Sequence, residues 1–383
     1  MFTRHARIMV ALLCAWMLMW GANLPAQNQW ERVGVPETSA LDVRALVVDS
    51  SGTLYAGAYG GGVWRSADGD RWTSFSAGLT DLYVTRMIVT PNGKTLFAAT
   101  ASNRSLYRYR LDSGGSWELV SVSFQKDRPV TGLTADSSGQ IFATNSSFDY
   151  NSFDQPYVYI YRSQDNGTSW TMVTTMGYDF IVNLYVTPAD VLIADWQQLD
   201  QAGLERSLDG GQSWQNCWLD HGPYYGSWSN HAVTQSFGVN VNTGSVFVGF
   251  YNFNGNGLNL ARTTDTSAAT WTALPQVGAS IQISESSYTS PPPLTAIASR
   301  PWGDMFVGLG MPYNNSSLYP EGQGVWRSID DGQSFTDVSL GLENKNVNAL
   351  VATLDGRIYA GTAAGIFRST DLVSVELSKF SVE

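Results

Sequence analysis

The chain has 383 residues, 43% hydrophobic and 13% aromatic, with 37 glycines and a formal net charge of −11. So acidic a surface argues against nucleic acid or an anionic membrane as partner and mainly predicts solubility. Length and composition suit one large all-β unit, because no long helical pattern runs through the chain.

Residues 1–26 read as a signal peptide. Arg4 and Arg7 precede an apolar run from Ile8 to Trp20, and Leu24-Pro-Ala26 offers a cleavage site before Gln27. Cys14 lies inside that run, which leaves Cys217 as the one cysteine of the mature chain and allows no internal disulfide. No membrane insertion of the mature chain is expected, and a monomer is.

From Trp30 onward a unit repeats, and the repeat is the strongest signal in the sequence. Each unit opens on an alternating apolar run, turns at Asp/Gly or Asn/Gly, returns, turns again and ends a third run on an Arg-Ser-like doublet. The first reads Val43-Arg-Ala-Leu-Val-Val48, Leu54-Tyr-Ala-Gly57, Gly62-Val-Trp-Arg-Ser66. The last reads Val347-Asn-Ala-Leu-Val351, Ile358-Tyr-Ala-Gly361, Gly365-Ile-Phe-Arg-Ser369. Period-two alternation with β-branched and aromatic residues predicts short antiparallel strands. First strands are expected near Val43, Val84, Val130, Ile181, Val233, Leu294 and Val347.

After the doublet comes an eight-residue box, complete in Ser163-Gln-Asp165-Asn-Gly167-Thr-Ser169-Trp170, in Ser207 to Trp214 and in Ser328 to Phe335. Altered copies sit at Asp68, Asp112, Asp265 and Asp371, with Arg110 standing where Ser belongs in the second. The Asp side chain accepts backbone N–H bonds and closes a tight turn, Gly permits positive φ, and the aromatic drops into the neighbouring apolar layer. Asp68, Asp112, Asp165, Asp209, Asp265, Asp330 and Asp371 are therefore assigned to turn building and to no active site. A fourth strand follows the box in the earlier units, as at Trp170-Thr-Met-Val173.

Four strands per unit and seven units predict a seven-bladed β-propeller over residues 27–371, with a linker or tail over 372–383. Trp30-Glu-Arg-Val33 is a fourth strand with no preceding box, and Asp371 is a box with no following strand. The first is expected to complete the last blade, closing the ring and removing an open sheet edge.

The boxes resemble the Asp-box (BNR) repeat of sialidases, family 74 xyloglucanases, sortilin-type receptors and the photosystem II stability/assembly factor. The resemblance covers Trp30 to Asp371 and implies the propeller, while function sits in sites grafted on it. Sialidases carry an arginine trio, a Tyr–Glu pair and an Arg-Ile-Pro motif. No Arg-Ile-Pro occurs here, and Arg65, Arg162, Arg206, Arg327 and Arg368 belong to the doublets. Family 74 enzymes cleave between two propellers, and this chain has length for one. The assembly factor's basic patch has no counterpart in so acidic a chain. Val375-Glu-Leu-Ser-Lys-Phe-Ser381 is similar to the linker before a type IX secretion sorting domain, which with the signal peptide implies a secreted, cell-surface or periplasmic bacterial protein.

Insertions fall at Asn145–Tyr157, Asp195–Gly203, His221–His231, Tyr251–Asn259, Val277–Pro293 and Met311–Gly324. Each joins strands two and three, or four and one, so all six should emerge on the face opposite the boxes. Long loops in a tight repeat are where binding residues concentrate. Tyr150, Trp196, Tyr224, Tyr225, Trp228, Tyr251 and Tyr313 are the candidate ligand-binding aromatics, set among Asn, Asp, Gln and Gly that suit a glycan or a protein partner. About half of such rings are expected simply to pack their loops onto the scaffold.

His221, His231, Asp220 and Asp195 are weak candidates for acid–base chemistry, and loop carboxylates including Glu285 and Glu321 could contain a glycosidase pair. No metal or cofactor motif is present, and none is expected. The favoured expectation is a non-catalytic binding or scaffold propeller; the alternative is a glycoside hydrolase or polysaccharide lyase.

Overall fold

The apolar runs pair with their neighbours in sequence, as short strands joined by tight Asp/Gly turns must. The computed structural model describes residues 29–34, 41–120, 124, 128–146, 158–176, 180–198, 201–220, 225–226, 232–252, 258–282, 289–311 and 321–370. Of these, 180–182, 197–198, 201–202, 220, 225–226, 232–235, 251–252 and 282 are described by backbone alone. The strands form the seven antiparallel blades of a β-propeller, with no helix among the described residues. The innermost strands are Asp42–Val48, Val84–Val89, Val130–Ala135, Phe180–Val186, Ala232–Val239, Leu294–Ser299 and Val347–Ala352. Each lies beside the innermost strand of the next blade.

The ring closes as the repeat predicts. Trp30–Val33 pairs antiparallel with Gly365–Ser369, Trp30 opposite Ser369 and Val33 opposite Ile366. Trp30 is buried among Phe306, Leu342 and Phe367, and its indole N–H donates to the Val338 carbonyl at 2.6 Å. Blades 6 and 7 are thus joined by a side chain from the far end of the sequence.

Packing between blades follows a repeated seat. In blade 1 a Cβ at Gly57 would lie 2.6 Å from the Val84 side chain of blade 2, and in blade 7 one at Gly361 would lie 2.6 Å from Val43 of blade 1. The missing side chain lets the next blade's first apolar residue enter. Such close apolar packing is the main source of stability in a fold without disulfides.

All seven innermost strands carry a register shift at the same place, between Val43 and Ala45 in blade 1 and between Val347 and Ala349 in blade 7, for example. A bulge leaves a residue outside the ladder and re-aims its side chain. These residues are mostly polar and stitch neighbouring blades. Thr295 donates to the Val347 carbonyl at 2.5 Å, and the Asn348 amide donates to the Val43 carbonyl at 3.1 Å.

Three local expectations are corrected. The segment Asp195–Gly203 is mostly strand: Leu192–Gln198 and Gln201–Ser207 pair through Asp195 opposite Leu204 to Gln198 opposite Gln201. Asp195 is buried there and accepts the backbone N–H of Asn183 at 2.5 Å, so a bulge needing an acceptor holds it inside. Asp112 makes no side-chain hydrogen bond among the described residues. The register places Tyr109 opposite Leu96, where Ser66 stands opposite Leu54, so Tyr109 rather than Arg110 fills the Ser position and the hydroxyl that anchors the other boxes is missing. Finally, blade 5 has more than four strands. Trp218–Asp220 leaves blade 4 and runs parallel to Thr270–Ala273 on the outer edge of blade 5, and Tyr225–Gly226 pairs with it.

Candidate functional site

Antiparallel order puts the joins between strands one and two, and three and four, at one end of each blade. Joins between two and three, and onward to the next blade, lie at the other. The boxes occupy the first end. The segments at 146–157, 221–231, 253–259, 274–293 and 310–323 all join strands at the second.

At the box end the carboxylates are consumed by their own turns. Asp165 accepts the Ser169 N–H at 2.8 Å, the Ser169 hydroxyl at 2.6 Å and the Ser163 hydroxyl at 2.9 Å. Burial raises its pKa, but the Ser169 hydroxyl and N–H outweigh this and hold it down at about 2. Asp209 is held at about 2 by the Ser213 hydroxyl and N–H, and Asp68 at about 2 by the N–H groups of Arg71 and Asp70. Asp265 and Asp330 are lowered in the same manner. These groups are locked in the ionised form, ill suited to proton transfer near neutrality.

Three of the arginines that precede the boxes are engaged too. Arg108, Arg206 and Arg262 each reach the box of the following blade and donate to the carbonyls of Asn166, Ser267 and Asp331 at 3.0, 2.6 and 3.0 Å. Their placement is that of clamps between blades.

Toward the axis, five side chains of the repeat depart from its pattern, four of them polar. At the position just after the bulge the blades carry Ala45, Arg86, Gly132, Asn183, Ser236, Ala296 and Ala349. Where four second strands carry Gly57, Gly249, Gly308 and Gly361, blades 2, 3 and 4 carry Ala99, Thr144 and Asp195. The departures meet. Arg86 of blade 2 donates to the Asn183 side-chain oxygen of blade 4 at 2.7 Å, past blade 3, whose equivalent residue is Gly132. Asn183 donates its N–H to Asp195, and Thr131 bonds Thr144 at 3.1 Å and Ser146 at 3.0 Å. The result is a polar cluster over blades 2 to 4, able to donate from a guanidinium and accept at a buried carboxylate. Arg86 and Asn183 escape a reading of single motifs, although aligning the seven units exposes both as the large polar residues in a column of Ala, Gly and Ser.

Trp196 is half-buried against Phe142, Val158 and Leu192, and its ring covers Gly203 across the strand pair, where a Cβ would lie 2.9 Å from ring atoms. That contact packs the hairpin. Asp220 stands opposite Tyr225 in the added hairpin of blade 5, and Tyr251 opposite Val233. His221, His231, Tyr150, Tyr224, Trp228, Tyr313 and Asp371 lie outside the described residues. Cys217 sits where the chain passes from blade 4 to blade 5, its N–H bonded to the Leu204 carbonyl, while the N–H of Trp218 goes to Ala269. Burial pushes the Cys217 thiol up to about 12, which makes it unreactive. Among the described residues no cluster of His, Cys, Asp or Glu could hold a metal ion, and no helix is long and apolar enough to cross a membrane.

No family model matches the chain, and no curated protein matches it. Solved structures do. The extracellular domain of BT4673 from B. thetaiotaomicron has a TM-score of 0.62 at 14% identity, covering 90% of this chain and 40% of that one. The chain thus spans about two fifths of that neighbour. A virginiamycin B lyase from Staphylococcus aureus, solved with quinupristin, has a TM-score of 0.59 at 10% identity, covering 88% and 98%. YCF48 from Cyanidioschyzon merolae has a TM-score of 0.59 at 13% identity, covering 89% and 98%. At such identities the likeness is one of fold.

Proposed function

We propose that the chain is an exported, non-catalytic binding propeller that captures a glycan or a protein on the face opposite the Asp boxes. One observation carries the reading: the long joins gather at one end of the ring, while the regular Asp and Arg residues at the other are spent on turns and clamps. The likeness to BT4673, whose propeller belongs to the extracellular part of a two component system, supports a binding or sensing role outside the cytoplasm. The signal-peptide pattern of residues 1–26 and the Val375–Ser381 linker support export. Tyr150, Tyr224, Tyr225, Trp228, Tyr251 and Tyr313 are the proposed contact aromatics, Trp196 being spent on its hairpin, with the Arg86–Asn183 pair beside the axis as a polar contact.

The test is a screen of soluble glycans on the purified mature chain that reads binding, reducing ends and unsaturated products together. Binding without product, lost in Trp228→Ala, is the expected outcome. Product formation abolished by His221→Ala or Asp220→Ala would make the chain a glycoside hydrolase or lyase and overturn the proposal.

A further inference from the structure

Along the outer strands of blade 6 and the joins that lead into and out of it, toward the face opposite the boxes, a cleft of about 420 Å³ is lined by Ser280, Glu321, Gln323, Trp326, Asp337 and Lys345 among others. That volume lies within the range of small-ligand sites. One wall is fixed in advance. The Gln323 amide holds the backbone of Ala279 at both ends, accepting its N–H at 2.8 Å and donating to its carbonyl at 2.7 Å. Pre-set walls reduce the ordering cost of binding.

Blade 1 supplies an internal comparison, since it shares the strand Gly-Val-Trp-Arg-Ser with blade 6. In both, the indole N–H bonds a carbonyl three residues earlier, Gly61 for Trp64 and Gln323 for Trp326. In both, a serine two residues past the adjacent fourth strand, Ser76 or Ser339, accepts the N–H of the residue before the tryptophan. The residue paired across from the tryptophan differs: Ser74 faces Trp64, whereas Asp337 faces Trp326. Blade 1 also turns tightly from Tyr59 to Gly62, where blade 6 inserts the segment that ends in Glu321. The charges therefore belong to this cleft and not to the repeat.

Asp337 spends one carboxylate oxygen on the Ser339 N–H at 2.8 Å and the Ser339 hydroxyl at 2.5 Å, and neither Glu321 nor Lys345 forms an ion pair among the described residues, so the cleft offers acceptor-only carboxylate oxygens and a donor-only ammonium together. A hydroxyl is donor and acceptor at once and satisfies both kinds. An anion would meet two carboxylates, and a cation would meet the ammonium. We infer that this cleft is a subsite for a neutral saccharide, its hydroxyls shared between Glu321, Asp337 and Lys345 and its C–H face set toward Trp326. The inference rests on the loop-face reading above and names its ligand class and place.

Titration of the mature chain by calorimetry with neutral gluco-, manno- and xylo-oligosaccharides, and with uronic-acid and glucosamine oligomers as charged controls, decides it. Binding of a neutral oligosaccharide, weakened about tenfold or more in Glu321→Gln and in Lys345→Met with unchanged melting temperature, is expected. Unchanged affinity in the Glu321→Gln/Lys345→Met double variant would overturn the cleft while leaving a loop-face glycan site standing, and Trp228→Ala then locates it. Preference for either charged oligomer would overturn the ligand class. Failure of the folded chain to bind any saccharide would overturn the cleft, while a protein partner would keep the broader reading.

Discussion

Arg262 of blade 5 holds Asp331 of blade 6 twice, at its carboxylate (2.8 Å) and at its own carbonyl (3.0 Å). The same carboxylate accepts from Asn240 at 2.8 Å, Thr243 at 3.0 Å and Ser245 at 2.7 Å, all of blade 5. Burial raises the Asp331 pKa, but the bonds from Ser245, Asn240 and Thr243 and the Arg262 charge outweigh it and leave the group lowered. This box residue thus fastens one blade to the next, with φ of +57° that Asp tolerates better than most side chains.

Replacing Asp331 by Ala leaves four donors without their acceptor. We expect a loss of about 2–3 kcal/mol, because hydrogen bonds to a charged group are the stronger kind and their donors become unsatisfied. Denaturant unfolding of Asp331→Ala, Arg262→Ala and the double variant should show coupling between the two sites. Strict additivity would mean that Arg262 acts elsewhere.

The box carboxylates should make the fold sensitive to acid. In the unfolded chain an Asp titrates at about 3.9, whereas Asp165 and Asp209 are held at about 2 in the fold. A folded pKa below the unfolded one contributes stability that is present above the unfolded value and disappears as pH falls through the folded one. The melting temperature is therefore expected to drop between about pH 4 and about pH 2. Asp165→Asn should start lower and show a shallower slope across that window.

A methyl at Gly69 would lie 1.8 Å from the Tyr359 hydroxyl, at a φ of +78° that L side chains rarely adopt. Gly69→Ala should cost about 3 kcal/mol, the upper end of the usual range for one substitution. Gly139→Ala has the same backbone sign with nothing within 4 Å and should cost only the conformational part, about 1 kcal/mol. If the two variants melt together, the seam between blades 7 and 1 is looser than described.

Trp30→Ala should cost about 3–5 kcal/mol, as for other large buried aromatics, because it empties the core of the closing blade and frees the Val338 carbonyl. Unfolding followed by tryptophan fluorescence and by circular dichroism would show whether blade 7 then melts before the rest. A single unchanged transition would argue that the closing strand adds little.

What could be read from the residues was the chemistry that is local in sequence. The turn carboxylates of Asp68, Asp165, Asp209, Asp265 and Asp330 are satisfied within a few residues, so these turns, and the strand count that follows, need no tertiary information. The closing strand was legible for a related reason: Trp30–Val33 lacks only what the C-terminal unit leaves over. Pairings set by register were not. Asp195 reads as a loop carboxylate until the bulge at Asn183 supplies the N–H it accepts. Arg86 and Asn183 lie 97 residues apart and meet only because blade 3 intervenes with a glycine. The parallel strand Trp218–Asp220 depends on blade 5 having a free outer edge. Likewise, Glu321 was visible as a carboxylate, but its grouping with Asp337 and Lys345 needed the fold.

Ring closure also sets a timetable. Glu31 and Arg368, which face each other in the closing pair and form an ion pair, are separated by 337 residues. Trp30–Val33, made before every other described strand, is thus the last to find its place. Every earlier blade can acquire its sheet as it is made, whereas Trp30–Val33 has no partner until Gly365–Ser369 has been made, and pairing over such separations is slow. The opening residues must therefore remain extended and unclaimed throughout synthesis, a requirement that a chain passed unfolded through a membrane would meet by the nature of its route.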